Sequence, residues 1–299
     1  MVVKKKKGKF SGHQTFVLRY GWLEKGFELI SKGKNFADED CIVELGVGKN
    51  MVESIKYWCE LTGIVEEGAV SNFGKKLLHR EKGWDPFLED LASWWLLHWK
   101  LVTNPYLQTS GTALFSFLRK PEFSKQDVAE TVLRLVEVGK KAPSDSIIMR
   151  DVDCYLRTYC GTHRFEKKNK NQDLTFESPL RELNLIQPMT DGGMFRFAIG
   201  KKYSLPAEII GYAIAEYFNR ENKNAMTIQR VLYKEHSPGQ VFMLDENSLI
   251  EAIQELKEAP QWEAMFDFSE SAGIAQICCS LELTETEKLL DSYYHRGEV

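Results

Sequence analysis

DEDCIVELGVGKNMVESIKYWCELTGIVEEGAVSNFGKKLLH, residues 38–79, holds the succession of elements that decides the fold. Asp38 stands where a helix N-cap belongs, ahead of a short helix over Glu39–Leu45. Gly46-Val47-Gly48 then breaks the period, because two glycines in three residues permit a sharp turn. The spacing predicts a longer helix over Lys49–Leu61, with Met51, Val52, Ile55, Trp58 and Cys59 on one apolar stripe. Gly63 supplies the left-handed residue that ends it. Ile64-Val65, the turn Glu66-Glu67-Gly68 and Ala69–Ser71 read as a hairpin, and Asn72 as the cap of a closing helix over Phe73–His79. This is the order of a winged helix-turn-helix, in which the glycine turn lets two helices cross steeply and the second presents one face outward. Lys49, Asn50, Glu53, Lys56 and Tyr57 fall off the apolar stripe. Lys49 and Lys56 suit phosphates and Asn50 suits a base edge, whereas Glu53 opposes phosphate. Winged helices also serve as protein-docking modules, so the order alone leaves both uses open.

Upstream, Arg19–Ser31 reads as an amphipathic helix with Trp22, Leu23, Phe27 and Ile30 inward. It follows FSGHQTF, Phe10–Phe16, where His13 sits beside Ser11 and Thr15 with no carboxylate in the adjoining sequence to orient it. The expected role is structural: Gln14 or Thr15 caps the helix and the phenylalanines pack inward. A contact to phosphate or a partner through Ser11, His13, Thr15 and Arg19 is the other reading. Downstream, Trp84–Lys100 predicts a helix opening near Asp85-Pro86. Trp94, Trp95 and Trp99 are of the type that stacks on bases, but Leu91, Leu96 and Leu97 surround them, so packing is expected. His98 reads as a core histidine.

Further along, Ser124 caps a predicted helix through Val138, another spans Ser144–Tyr159, and a polar loop covers 163–173. A short helix, Ser178–Leu183, precedes a strand over Met194–Ile199 and a helix over Ala207–Phe218, which repeats the earlier order. Val241–Leu244 reads as a strand, Asp245 as the cap of a helix over Ser248–Lys257, and Glu285–Tyr294 as the last helix. The expected fold is mainly α with small β hairpins. It comprises an N-terminal winged helix-turn-helix (1–83), an aromatic packing helix and connector (84–122), a second winged-helix-like unit (123–219) and an acidic α+β unit (220–299).

Composition narrows the function classes. The 299 residues are 43% hydrophobic, enough for a sizeable core. The net charge of −4 is unevenly placed: 30 basic against 26 acidic residues over 1–200, then 9 against 17 over 201–299. A local nucleic-acid face at the front and a different task at the acidic end follow from that asymmetry. The richest apolar run, Trp94–Trp99, is interrupted by His98, so no membrane is expected, and MVVKKKKGKF has no apolar stretch behind it. Six cysteines without framework spacing, two of them adjacent at Cys278 and Cys279, point to a reducing cytoplasm. Gly46–Asn50 is not a phosphate-binding loop, since Val43 stands where its first glycine belongs and Asn50 where its hydroxyl belongs. Cys154, Cys160 and His163 match no compact zinc spacing. No catalytic, metal or cofactor site is therefore expected, and the chain reads as a non-enzyme.

Four stretches resemble one family: FSGHQTFVLRYGWLEKG (10–26), DEDCIVELGVGKNMVESIKYWCELTGIVE (38–66), GWDPFLEDLASWWLLHW (83–99) and SPGQVFMLDENSLIEAI (237–253). They are similar to the domain of unknown function family 4007. That family has no assigned catalytic activity. Its genes lie in bacterial and archaeal defence islands, near genes for sulfur modification of the DNA backbone and for sulfate-reductase-like enzymes. The resemblance thus implies an antiviral or phosphorothioation-linked role, with partner proteins from the same gene cluster. Joined to the reading of residues 38–79, it predicts a component that binds double-stranded DNA. The alternative is an adaptor that docks a partner enzyme of such a system.

Overall fold

The computed structural model describes residues 7–105, 107–136, 143–160, 177–189, 193–271, 273–282 and 285–296. The chain divides into two compact units, Met1–Phe197 and Ala198–Val299. The first runs β1 (Lys7–Gly8), α1 (Trp22–Ser31), α2 (Cys41–Leu45), α3 (Lys49–Leu61), β2 (Val65–Glu66), β3 (Ala69–Val70), α4 (Asn72–Leu78), α5 (Leu91–Thr103), β4 (Leu107–Gln108) and α6 (Ser110–Thr112). A π-helical turn, Ala113–Phe117, continues α6. Then come β5 (Glu122–Ser124), α7 (Lys125–Leu135), α8 (Asp145–Cys160), a 3₁₀ turn (Pro179–Leu183), β6 (Ile186–Pro188) and β7 (Met194–Phe197). The second unit holds α9 (Ala207–Glu221), β8 (Ala225–Thr227), α10 (Ile228–Tyr233), α11 (Pro238–Phe242), α12 (Glu246–Glu258), β9 (Phe266–Ser271), β10 (Ile274–Cys279) and α13 (Glu287–Tyr294). The architecture is mainly α with small sheets, as the periodicity predicts.

Within the first unit α1 packs on α2, α3, β3 and α4. Ile55, Trp58 and Cys59 of α3 are fully buried, which places the predicted stripe in the core, with Met51 at its margin. Trp95 and Trp99 are likewise fully buried and Trp94 nearly so, because α5 is sheathed on almost every side. The β2–β3 ladder pairs Val65 with Val70 and Glu66 with Ala69. Its loop is therefore two residues, Glu67 and Gly68, both with positive φ, the geometry that suits the twist of a tight hairpin. β7 pairs with β6 and also with β5, a strand not evident in the sequence. In the second unit the sheet order is β8-β10-β9, and α9 packs against α12 and α13.

Several boundaries differ from expectation, each for a local reason. Asp40, not Asp38, precedes α2, while the Asp38 carboxylate accepts the Asn35 N–H. Ser71 rather than Asn72 caps α4, its Oγ accepting from Gly74 N. Neither Gln14 nor Thr15 caps α1, which begins after Gly21 in the left-handed conformation. α5 begins at Leu91, because the Asp85 carboxylate accepts the N–H groups of Glu89 and Asp90 and the Ser93 hydroxyl, holding residues 85–90 as a turn. Val241–Leu244 is no strand: Pro238 at the first helical position and Ser237 as cap make α11. The expected boundary at 219/220 falls inside α9, which packs on α11, α12, α13 and β10 of the second unit. The other two, at 83/84 and 122/123, fall inside the first unit. His163 and the loop 163–173 lie outside the described residues. Among the described residues no helix is long and apolar enough to cross a membrane.

Candidate nucleic-acid interface

The turn before α3 is built from its two glycines. Gly46 closes α2 at φ 64, and Gly48 enters α3 as an extended N-cap with φ −70 and ψ 159. Glycine brings no side-chain acceptor, and the first turn of α3 contains no acid. No side chain therefore caps the positive end of this 13-residue helix, where Met51 N donates to Gly48 O at 2.8 Å. Lys49, Asn50 and Glu53 are exposed there and Lys56 is half-buried. Among the described residues, neither Lys49 nor Lys56 enters an ion pair. Val43, 83% exposed on α2, adds an apolar side chain beside the turn that sequence reading passed over. At the hairpin tip Glu66, Glu67, Gly68 and Ala69 are exposed.

Tyr57 does not belong to this face. It is buried, its hydroxyl lies 2.6 Å from the Tyr155 hydroxyl, and Gly12 packs so closely on its ring that a Cβ would overlap it. The apolar stripe of α3 is wider than its sequence suggests, because two surfaces cover it: α1 on one side, α8 and the segment Phe10–Phe16 on the other.

That segment is a strap. His13 is fully buried; Thr15 N donates to its Nδ1 at 3.0 Å, which leaves Nε2–H to donate to Asp151 Oδ1 at 2.8 Å. Ser11 N donates to the same carboxylate oxygen at 2.5 Å. Tyr57, Trp58 and Tyr155 ring the imidazole at centroid distances of 5.6, 6.3 and 6.0 Å. Trp58 Nε1 donates to Phe16 O, and Arg157 bridges Thr15 O and Asp153. These bonds hold Ser11, Gln14 and Thr15 at positive φ, a conformation that costs a non-glycine residue roughly 1 kcal/mol or more. Asp151, Tyr155 and Tyr159 recur every four residues on α8 and reach His13, Tyr57 and His98 respectively, the last at 2.7 Å.

The carboxylate that local sequence could not supply for His13 thus comes from 138 positions away. Both imidazole nitrogens are engaged and closed to solvent, so the pair fastens the strap. Arg19 stacks on Phe16 and Trp22 at 5.5 and 5.2 Å, and burial lowers its pKa. Of the residues singled out in the sequence, Ser11, His13, Thr15 and Tyr57 join this fastening, while Lys49, Asn50, Glu53 and Lys56 remain accessible on α3. Cys154 and Cys160 are buried, which raises both thiol pKa values, that of Cys160 to about 11. Among the described residues no three His, Cys, Asp or Glu side chains gather as metal ligands.

The family model for "Protein of unknown function (DUF4007)" matches residues 10–294. No curated protein matches the chain. Two solved structures are similar to it. One, an SspB crystal structure, is 27% identical with a TM-score of 0.84, covering 97% of this chain and 89% of its own. The other, a magnesium-ion-bound SspB crystal structure, is 26% identical with a TM-score of 0.83, covering 96% and 88%.

Proposed function

The chain belongs to the DUF4007 family, and we propose that it is the double-stranded-DNA-binding component of a prokaryotic antiviral defence or DNA-modification (phosphorothioation-linked) system, with no catalysis of its own. The observation that carries this reading is the open, uncapped first turn of α3, with Lys49, Asn50 and Lys56 accessible around it. Lys49 and Lys56 take phosphates, Asn50 reaches a base edge and the β2–β3 hairpin lies along the backbone as a wing. The runs α1-α2-α3-β2-β3, β5-α7-α8-β6-β7 and β8-α10-α11-α12-β9-β10 support a tandem of winged-helix-like units. The last two form sheets with the middle place held by the final strand of the run. Of the three long helices before the hairpins, α12 is acidic on its exposed side and α8 gives Asp151 to the strap, whereas α3 keeps Lys49 and Asn50 exposed, which supports α3 as the reader.

Magnesium accompanies one of the similar structures. The unpartnered buried carboxylate oxygens of this chain, on Glu24, Asp151 and Glu208, are not gathered with two further ligands, whereas magnesium needs an octahedral oxygen set.

A second reading, an adaptor for a partner enzyme, is favoured by the acidic exposed side of α12 and by Tyr203, which is 94% exposed. Titration of a labelled duplex by the intact protein across salt concentrations separates the two. Two phosphate contacts give a log–log slope of about −2. Absence of duplex binding, with host proteins retained in a pull-down, would favour the adaptor.

A further inference from the structure

α4 and the loop that follows it present cations and aromatic rings in alternation. The loop folds back on the helix end: Trp84 N donates to Lys76 O at 2.8 Å and Asp85 N to Leu77 O at 3.0 Å. This seats the Trp84 ring under the Lys76 ammonium, 5.6 Å from its centroid. Beside it Arg80 lies 5.0 Å over Phe87, and Lys100 of α5 lies 5.2 Å over Phe73. Phe73 and Lys76 are one helical turn apart, so these pairs are neighbours.

Phe87 is 55% exposed although its neighbour Leu88 is buried. The turn that holds it out is braced: Asp85 accepts two backbone N–H groups across it, and Leu88 sits at φ 51. An outward ring on a fixed turn is not a core residue that failed to bury. Lys75 and Lys82 are exposed nearby, against Glu81 and against Glu28, which lies 3.7 Å from Arg80.

We propose that this face binds an unpaired nucleic-acid strand, with bases stacking on the exposed Phe87 and with the exposed cations Lys75, Arg80 and Lys82 set against phosphates. A ring can stack only on an exposed base face, which a duplex interior hides, and base–aromatic stacking beside cations is how single strands are held without sequence preference. The face is separate in residues from the one on α3 and does not depend on duplex binding there.

Fluorescence anisotropy of the intact protein with a labelled short oligothymidylate, an abasic strand of equal length and a duplex tests it. The oligothymidylate should bind more tightly than the abasic strand. Phe87→Ala should weaken oligothymidylate binding about tenfold and abasic binding little, and Arg80→Glu should weaken both. Lys49→Glu with Lys56→Glu should leave oligothymidylate binding intact. Phe87 and Arg80 are exposed, and an unchanged thermal melt shows that the variants fold. Equal affinity for the abasic strand, no oligothymidylate binding by the folded protein, or indifference to Phe87→Ala would each overturn the proposal.

Discussion

α3 follows the short helix α2 and precedes the β2–β3 hairpin; α12 follows α10 and α11 and precedes the β9–β10 hairpin. Both are 13 residues long and amphipathic. They part at the first turn. α3 opens on a glycine with no side chain to give, whereas α12 opens on Asp245, whose carboxylate already accepts Ser248 N at 2.9 Å, with Glu246 next to it. Along the exposed side α3 shows Lys49, Asn50 and one acid, Glu53, while α12 shows Glu246, Glu251, Glu255 and Glu258. A helix whose own acid occupies its positive end has no place left for a phosphate. Similar succession therefore does not carry similar chemistry; the capping residue and the outer charges decide it.

The contrast has consequences for stability. The largest effect is expected at Trp58, which anchors α3 between the strap and α8. Trp58→Ala should cost about 3–5 kcal/mol, read as a lowered melting temperature with early loss of hydrogen-exchange protection in residues 7–105. Retained stability would mean that the strap alone holds α3.

Next comes pH, where the two units should respond in opposite senses. Glu24 on α1 is pushed up to about 7 by burial, with Asp85 and Glu28 adding to the rise. The folded form holds a proton that the unfolded chain releases above about 4.5, so stability in the α3 region falls as pH rises from 4.5 towards 7. Glu24→Gln should remove this loss and stabilise the protein at pH 8 by up to about 3 kcal/mol. In the α12 region burial lowers Lys202 to about 8, so stability there should rise as pH climbs from 8 towards 10.5. Hydrogen exchange of the intact protein, resolved by peptide, checks both; parallel trends in the two units would contradict the assignment.

How much of this was legible varied with range. The two glycines, the α3 limits and the burial of Trp94, Trp95 and Trp99 followed from local spacing. The strap did not, because His13 acquires its partner from Asp151 on α8, and nothing near Phe10–Phe16 announces a carboxylate. The burial of Tyr57 has the same origin: its position on the helical wheel is marginal, and a covering segment from far away decided it. β9 and β10 are not evident as strands in the sequence: β9 pairs only with β10, β10 pairs also with the distant β8, and α12 packs against β9.

A smaller effect follows from that buried hydroxyl pair. Tyr57→Phe removes the hydroxyl–hydroxyl hydrogen bond to Tyr155, which should cost about 1 kcal/mol in a denaturant melt. Because the ring faces inward, duplex affinity should not change. A selective loss of DNA binding would place Tyr57 on the reading face after all.

The most direct test of the account is the salt dependence of duplex binding by the folded Lys49→Glu, Lys56→Glu double variant beside the unaltered protein. Both side chains lie off the core, so the melt should be unaffected, affinity should fall, and the log–log slope should shallow by about 2. A folded double variant that binds duplex DNA with unchanged affinity and unchanged slope would show that α3 is not the element that meets DNA.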